Sequence, residues 1–254
     1  MKGTTAGKGL RVQMLVLGIA ALALRKMLYA AAVDVKGLLL RGQPLEIALT
    51  VLTLGVLIRM VLAVRQLKGT DHCENMDSPN LAAAFGNVAA GAGILVTVLT
   101  AVPVSGGYLE SAWRFLGLAA PVCLLLAGVS RALGKKPFFL LHVVTCLFFL
   151  VHIVTHYQLW SANPQLQDYF YDLGGIMLLM LFAYYQTAFD TDSGNRRMQL
   201  AAGLLAALWS FTAVSRTEFP LLYAACGIWA LTDLCTLTPV SRRNMGAAEQ
   251  QREE

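Results

Sequence analysis

The chain has 254 residues, 57% of them hydrophobic and 14% charged, with a mean hydropathy of +0.60. This is more apolar and less charged than an ordinary soluble domain, and the connections between its apolar runs are too short to fold alone. A separate soluble catalytic domain is thereby excluded, and the formal net charge of +5 does not point to nucleic acid, because the basic residues cluster at the ends of apolar runs, where membrane topology puts them.

The first apolar run, Val12 to about Val33, is interrupted by Arg25 and Lys26. Its uninterrupted part would cover only about 20 Å as a helix, short of a hydrocarbon core of roughly 30 Å, so the helix is expected to continue through the charged pair. The basic start, short apolar core and small residues Ala30 to Ala32 also resemble a cleavable signal peptide, although charges inside the apolar region are unusual there. Further runs at about 46 to 64, 81 to 102, 113 to 130, 137 to 160, 169 to 189, 199 to 215 and 219 to 236 bring the candidate spans to eight. Arg216, Thr217 and Glu218 alone separate the last two before Pro220. Proline opens a helix well and fits its interior badly, which predicts a tight hairpin there.

Charge gives the orientation. One set of alternate connections carries Lys2, Lys8, Arg11, Arg65, Lys68, Arg131, Lys135, Lys136, Arg196, Arg197, Arg242, Arg243 and Arg252, against Lys36, Arg41, Arg114 and Arg216 on the other. The excess predicts both termini in the cytoplasm and an even number of spans. Trp113, Tyr157, Trp160, Tyr169 and Tyr171 fall at predicted outer ends, the depth at which amphipathic rings meet headgroups. The expected architecture is an all-α polytopic bundle of about eight spans over residues 1–240, with a short polar cytoplasmic tail at 241–254.

The third run, LAAAFGNVAAGAGILV, spaces Ala82, Gly86 and Ala90, and likewise Ala89 and Gly93, four residues apart. Small residues so spaced let helix backbones approach closely in lipid, either within one chain, the favoured reading, or across a homodimer seam.

The stretches LYAAAVDVKGLLLRGQPLEI and GNRRMQLAAGLLAAL resemble parts of a group of multi-pass membrane proteins from clostridia-type bacteria that has no assigned activity. The resemblance covers most of the chain and implies a bacterial cytoplasmic membrane setting, with nothing about mechanism.

Residues 140 to 160, LLHVVTCLFFLVHIVTHYQLW, hold three of the four histidines. At 100° per residue His142, Thr145, His152 and His156 share an arc of about 80°, backed by Val143, Val144, Leu147, Leu150, Val151 and Val154. Ionisable groups in a membrane helix face the bundle interior or a wet cavity, so the stripe is expected to point inward.

Several chemistries can be weighed against it. His142 and His156 are spaced like the ligands of a di-haem helix, but each haem needs a second axial ligand, and the remaining histidine, His72, lies in a cytoplasmic loop. The HIVTH pair has the i, i+4 geometry of a metal pair, while Ile153 stands where a zincin carries its catalytic Glu. Membrane desaturases need more histidines than this chain has. VSGG at 104 to 107 lacks a nucleophile elbow, and DHCENMD at 71 to 77 lacks a recognisable ligand spacing.

A proton or solute site is left. His152 and His156 lie in the outer third of their span, and DYFYDLGG brings Asp168 and Asp172 to that level. Arg25, Glu110, Arg216 and Glu218 lie near other outer ends. Asp172 is the expected partner of Arg25, and Arg59 and Asp233 could pair near the cytoplasmic side. The candidate ligand-binding residues are His142, His152, His156, Asp172 and Arg25, with no catalytic residue, metal or cofactor assigned.

Interhelical hydrogen bonding without transport fits the same histidines, and Arg25, Lys26 and Arg59 could snorkel to headgroups. The expected partners are the lipid bilayer, a small solute or protons, and a membrane protein partner or a second copy. The readings left open are a binding or transport protein, a non-transporting anchor, sensor or assembly partner, and a haem- or metal-binding redox protein.

Overall fold

The computed structural model describes residues 3–31, 42–66, 79–101, 107–160, 169–191 and 193–236. These form eight α-helices: α1 (Gly3–Ala31), α2 (Pro44–Gln66), α3 (Leu81–Thr100), α4 (Tyr108–Ala132), α5 (Leu140–Trp160), α6 (Phe170–Asp190), α7 (Arg196–Ala213) and α8 (Pro220–Asp233), with a 3-10 turn at Leu234–Thr236. No strand occurs among the described residues. The polar segment 71–77, Asp168 and the tail at 241–254 lie outside them.

Helices α1 to α6 are long and apolar enough to cross a membrane, and the chain is a multi-pass helical membrane protein. Helix α1 runs through Arg25 and Lys26 without a break. The last two helices coincide with expected spans but differ in kind: α7 and α8 have 18 and 14 residues, and most of α7 is buried against other helices. Their connection is the expected tight hairpin, with Pro220 opening α8.

Helices α3 to α8 pack in chain order, and α8 closes back on α3, making a ring of six. Helix α1 lies outside this ring against α7, and α2 packs mainly on α1. Small residues set the closure. A Cβ on Gly86 would meet the Thr232 hydroxyl at 1.8 Å, and one on Gly93 would meet the Ala225 methyl at 2.5 Å. The small-residue stripe of α3 therefore packs within the chain, against α8. On α4, a Cβ on Gly128 would meet the Ala84 carbonyl of α3 at 3.1 Å.

The ends are fixed by caps. The Asn80 side chain accepts from Ala83 N–H and starts α3, and Asn195 accepts from Arg197 and Met198 N–H to start α7. Helix α4 stops at Gly134, whose φ of 68° is left-handed. Its N–H donates to Arg131 O, and Lys135 N–H donates to Ser130 O, the paired bonds by which a left-handed glycine terminates a helix. The N–H of Asn80 also donates to Arg131 O, so α3 begins where α4 ends. We call this end inner, after the charge asymmetry that assigns it to the cytoplasm.

Candidate functional site

The stripe on α5 points inward, as its register predicts. His142, Thr145, His152 and His156 are buried, and Leu147, Leu150 and Val154 face outward. The structure divides the candidate residues into three groups.

At the outer end of α5, the Trp113 Nε1–H donates to His152 Nδ1 at 2.9 Å. An imidazole nitrogen that accepts carries no proton, so His152 is the neutral tautomer protonated at Nε2. His156 Nδ1 lies 3.0 Å from the His152 carbonyl, an acceptor only, so this nitrogen donates. The two rings stack at 4.1 Å and 21°, with Phe219 edge-on to both. Ring lone pairs lie in the ring plane, so two nearly parallel imidazoles do not converge on one ion, which disfavours HIVTH as a metal pair.

Trp113, near the start of α4, is 3% exposed, and its indole N–H finds its partner inside the bundle. Glu110 lies near His156 and also pairs with Arg114 at 3.3 Å.

The second group holds Arg25 and Asp172, paired at 3.2 Å and almost fully buried. The pairing read from the sequence is thus present. The Arg25 Nη1 also donates to the carbonyls of Thr212 and Ala213, at 3.1 and 3.3 Å, at the partly negative end of α7. Tyr171 and Tyr29 lie under its guanidinium, and the Tyr223 hydroxyl donates to Asp172 O at 2.9 Å. The end of α1, the start of α6, the end of α7 and the start of α8 meet here. Phe219, the residue before α8, lies edge-on to His152 and His156, and Tyr223 one turn later on α8 bonds Asp172.

The third group lies at the inner end. His142 Nδ1 is 2.5 Å from Asp190 Oδ2, and Arg131 Nη2 donates to Asp190 Oδ1 at 3.5 Å. Asp233 lies close enough to interact with Arg131, His142, Asp190 and the Asn87 side chain. The expected pairing of Asp233 with Arg59 is therefore corrected: Arg59 is exposed on α2, a helix that packs on α1 and α7, while Asp233 faces the ring interior. Arg131, counted among the loop charges, is 1% exposed.

Between the inner and outer histidines the ring is filled by aromatics. Phe148, Phe149, Phe182 and Trp229 are fully buried. Trp229 stacks on His142 at 6.4 Å and 8°, and Phe182 meets it edge-on.

No family model, curated protein or solved structure compared with the chain matches it.

Sequence reasoning missed Arg131, Asp190 and Trp113 as interior residues. A signal for Asp190 was present. Asp172, Ile176, Leu179, Ala183, Gln186 and Asp190 repeat at alternating spacings of four and three, one inward stripe that is polar at both ends.

Proposed function

We propose that this protein binds or moves protons or a small solute through the polar interior of its helix ring. The observation that carries the reading is that ionisable side chains are buried in partnered sets near both ends, Arg25 with Asp172 and Arg131 and His142 with Asp190. Buried charge in a membrane helix is expensive and marks solute or proton pathways more often than simple packing. In this reading His142 carries the exchangeable proton, and Asp172 holds the charge of Arg25 near the outer mouth. His152 and His156 supply oriented donors and an aromatic wall for a solute. The setting we propose is a bacterial cytoplasmic membrane, with both termini inside.

The test is flux. Chain reconstituted in vesicles with an entrapped pH-sensitive dye should dissipate an imposed proton gradient faster than empty vesicles, and His142→Gln should remove most of the difference. Equal rates in native and empty vesicles, with no stimulation by added solutes, would sink the proposal.

A second reading is favoured by a different observation. The four buried aromatics between His142 and His152 interrupt any continuous polar path. They suit a non-transporting anchor, sensor or assembly partner, in which the buried charges hold the bundle together. This reading expects a stoichiometric membrane protein partner on gentle purification, and a fold that tolerates the histidine substitutions without change in that association.

A further inference from the structure

Four helix ends converge on one small volume at the inner face. Arg131 lies in the last turn of α4, His142 in the first turn of α5, and Asp190 and Asp233 are the last residues of α6 and α8. Their burial is nearly complete, with the side chains of Arg131, His142 and Asp190 at 1%, 0% and 0% exposure and Asp233 at 1%. Asp190 from α6 lies against His142, Arg131 from α4 pairs with Asp190, Asp233 from α8 is close enough to interact with all three, and α3 contributes the uncharged Asn87 beside Asp233.

Charge counting gives the set a definite capacity. One guanidinium faces two carboxylates, so with a neutral imidazole the group holds a net charge of minus one, and with one added proton it is neutral. A net charge in a desolvated interior is costly, and neutralisation by a proton is the ordinary escape. The imidazole is placed to hold that proton between its Nδ1 and the Asp190 carboxylate, 2.5 Å away.

A second observation separates this set from a closed structural network. Buried polar networks that serve only to hold helices are as a rule fully satisfied. Here Arg131 Nε and Nη1, His142 Nε2, the Gln186 amide and Trp229 Nε1 are buried without a hydrogen-bond partner. Gln186 lies one turn before Asp190 on α6, and Trp229 one turn before Asp233 on α8. Among the described residues, unused donors and acceptors thus remain on Arg131 and His142 themselves and on the residues one turn before Asp190 and Asp233.

We infer that Arg131, His142, Asp190 and Asp233 form a one-proton binding site at the inner end of the helix ring. The site takes one proton from the compartment that holds the termini, binding it at the imidazole against the Asp190 carboxylate. Arg131 weakens proton binding and Asp233 strengthens it, because the first adds positive and the second negative charge beside the imidazole. The inference rests on the proton or solute reading given above, but it concerns equilibrium binding.

The experiment is nitrogen-15 NMR of histidine-labelled chain in lipid nanodiscs, titrated between about pH 5 and 8. His142 is assigned through the Leu141 to His142 peptide, the one Leu-His pair in the sequence, and through loss of its signals in His142→Gln. The expected result is conversion of His142 from neutral to doubly protonated in a single step. Asp233→Asn should lower its proton affinity about tenfold and Arg131→Gln should raise it about tenfold, each being one unit in the midpoint.

A native His142 that keeps one charge state across the range overturns the inference, even if every variant fails to fold. So does a midpoint that neither substitution moves, as a purely structural role would give. A chain that titrates as expected but passes no protons in vesicles removes the transport reading alone.

Discussion

Asp172 and Asp190 lie on the same face of α6 at opposite ends, and each meets a buried arginine from another helix, Arg25 and Arg131. Their separation of eighteen residues is five full helical turns, about 27 Å, so one stripe of α6 carries an ion pair near each membrane surface. Neither arginine is a neighbour of its aspartate in sequence, and each ties its helix into the ring at a defined depth.

The outer pair should behave as a buried pair does. Arg25→Leu or Asp172→Leu alone leaves an unpartnered charge and should cost about 3 to 5 kcal/mol. The double replacement should recover much of that loss. Thermal unfolding in detergent, followed by loss of the monomeric peak on size exclusion, measures the three variants. Additive losses would mean that the pair is not coupled.

Ring closure depends on the missing side chain of Gly86. Gly86→Leu should destabilise by about 1 to 3 kcal/mol through overpacking against Thr232 and Trp229. Gly55 on α2 has nothing within 4 Å of its would-be Cβ, so Gly55→Leu should stay within about 0.5 kcal/mol of the native chain. The same unfolding assay compares them.

His152 should show one tautomer. With Trp113 donating to Nδ1, its nitrogen-15 shifts at neutral pH should report a proton at Nε2 alone. Trp113→Phe should release that constraint, give a mixture of tautomers, and cost about 0.5 to 1.5 kcal/mol for the lost bond. An unchanged spectrum in the variant would show that the indole does not set the tautomer.

Orientation can be read with single cysteines in a chain otherwise free of them. Lys135→Cys should be shielded from an impermeant thiol reagent in intact cells and labelled after lysis, whereas Arg216→Cys should be labelled in both. The opposite pattern would invert the topology derived from the basic residues.

Much of the architecture was legible because lipid imposes a simple rule on sequence. Apolar runs located all eight helices, of which six are long and apolar enough to span, and angular register placed the α5 stripe inward. Spacing of small residues foretold the close approach of α3, and matching depth foretold the pairing of Arg25 with Asp172.

The inner cluster was hidden for a specific reason. Arg131 stands beside the end of α4, where a last-turn arginine and a loop arginine look alike in sequence, and the buried register of Leu124, Gly128 and Arg131 is what places it inside the ring. Asp190 lay one residue beyond the expected end of its span. Arg59 and Asp233 were matched by depth, which says nothing about which helices are neighbours around the ring. Trp113 was placed by depth alone, and the rotation of α4 turns its indole toward His152.

Closure of α8 on α3 also bears on how the molecule is made. Helices α1 to α6 are apolar enough to partition into lipid as they emerge, but α7 begins with two arginines and α8 has only 14 residues. They pack on protein surface: Gly86 and Gly93 on α3, Arg25 and Asp172 near the end of α1 and the start of α6, and the carboxylate and guanidinium at the inner ends of α6 and α4. The hairpin of α7 and α8 is thus received by the first six helices much as a ligand is received by a receptor. A chain cut before Asn195 would insert six helices yet expose, within the hydrocarbon, grooves and charges that only its own missing segment can cover.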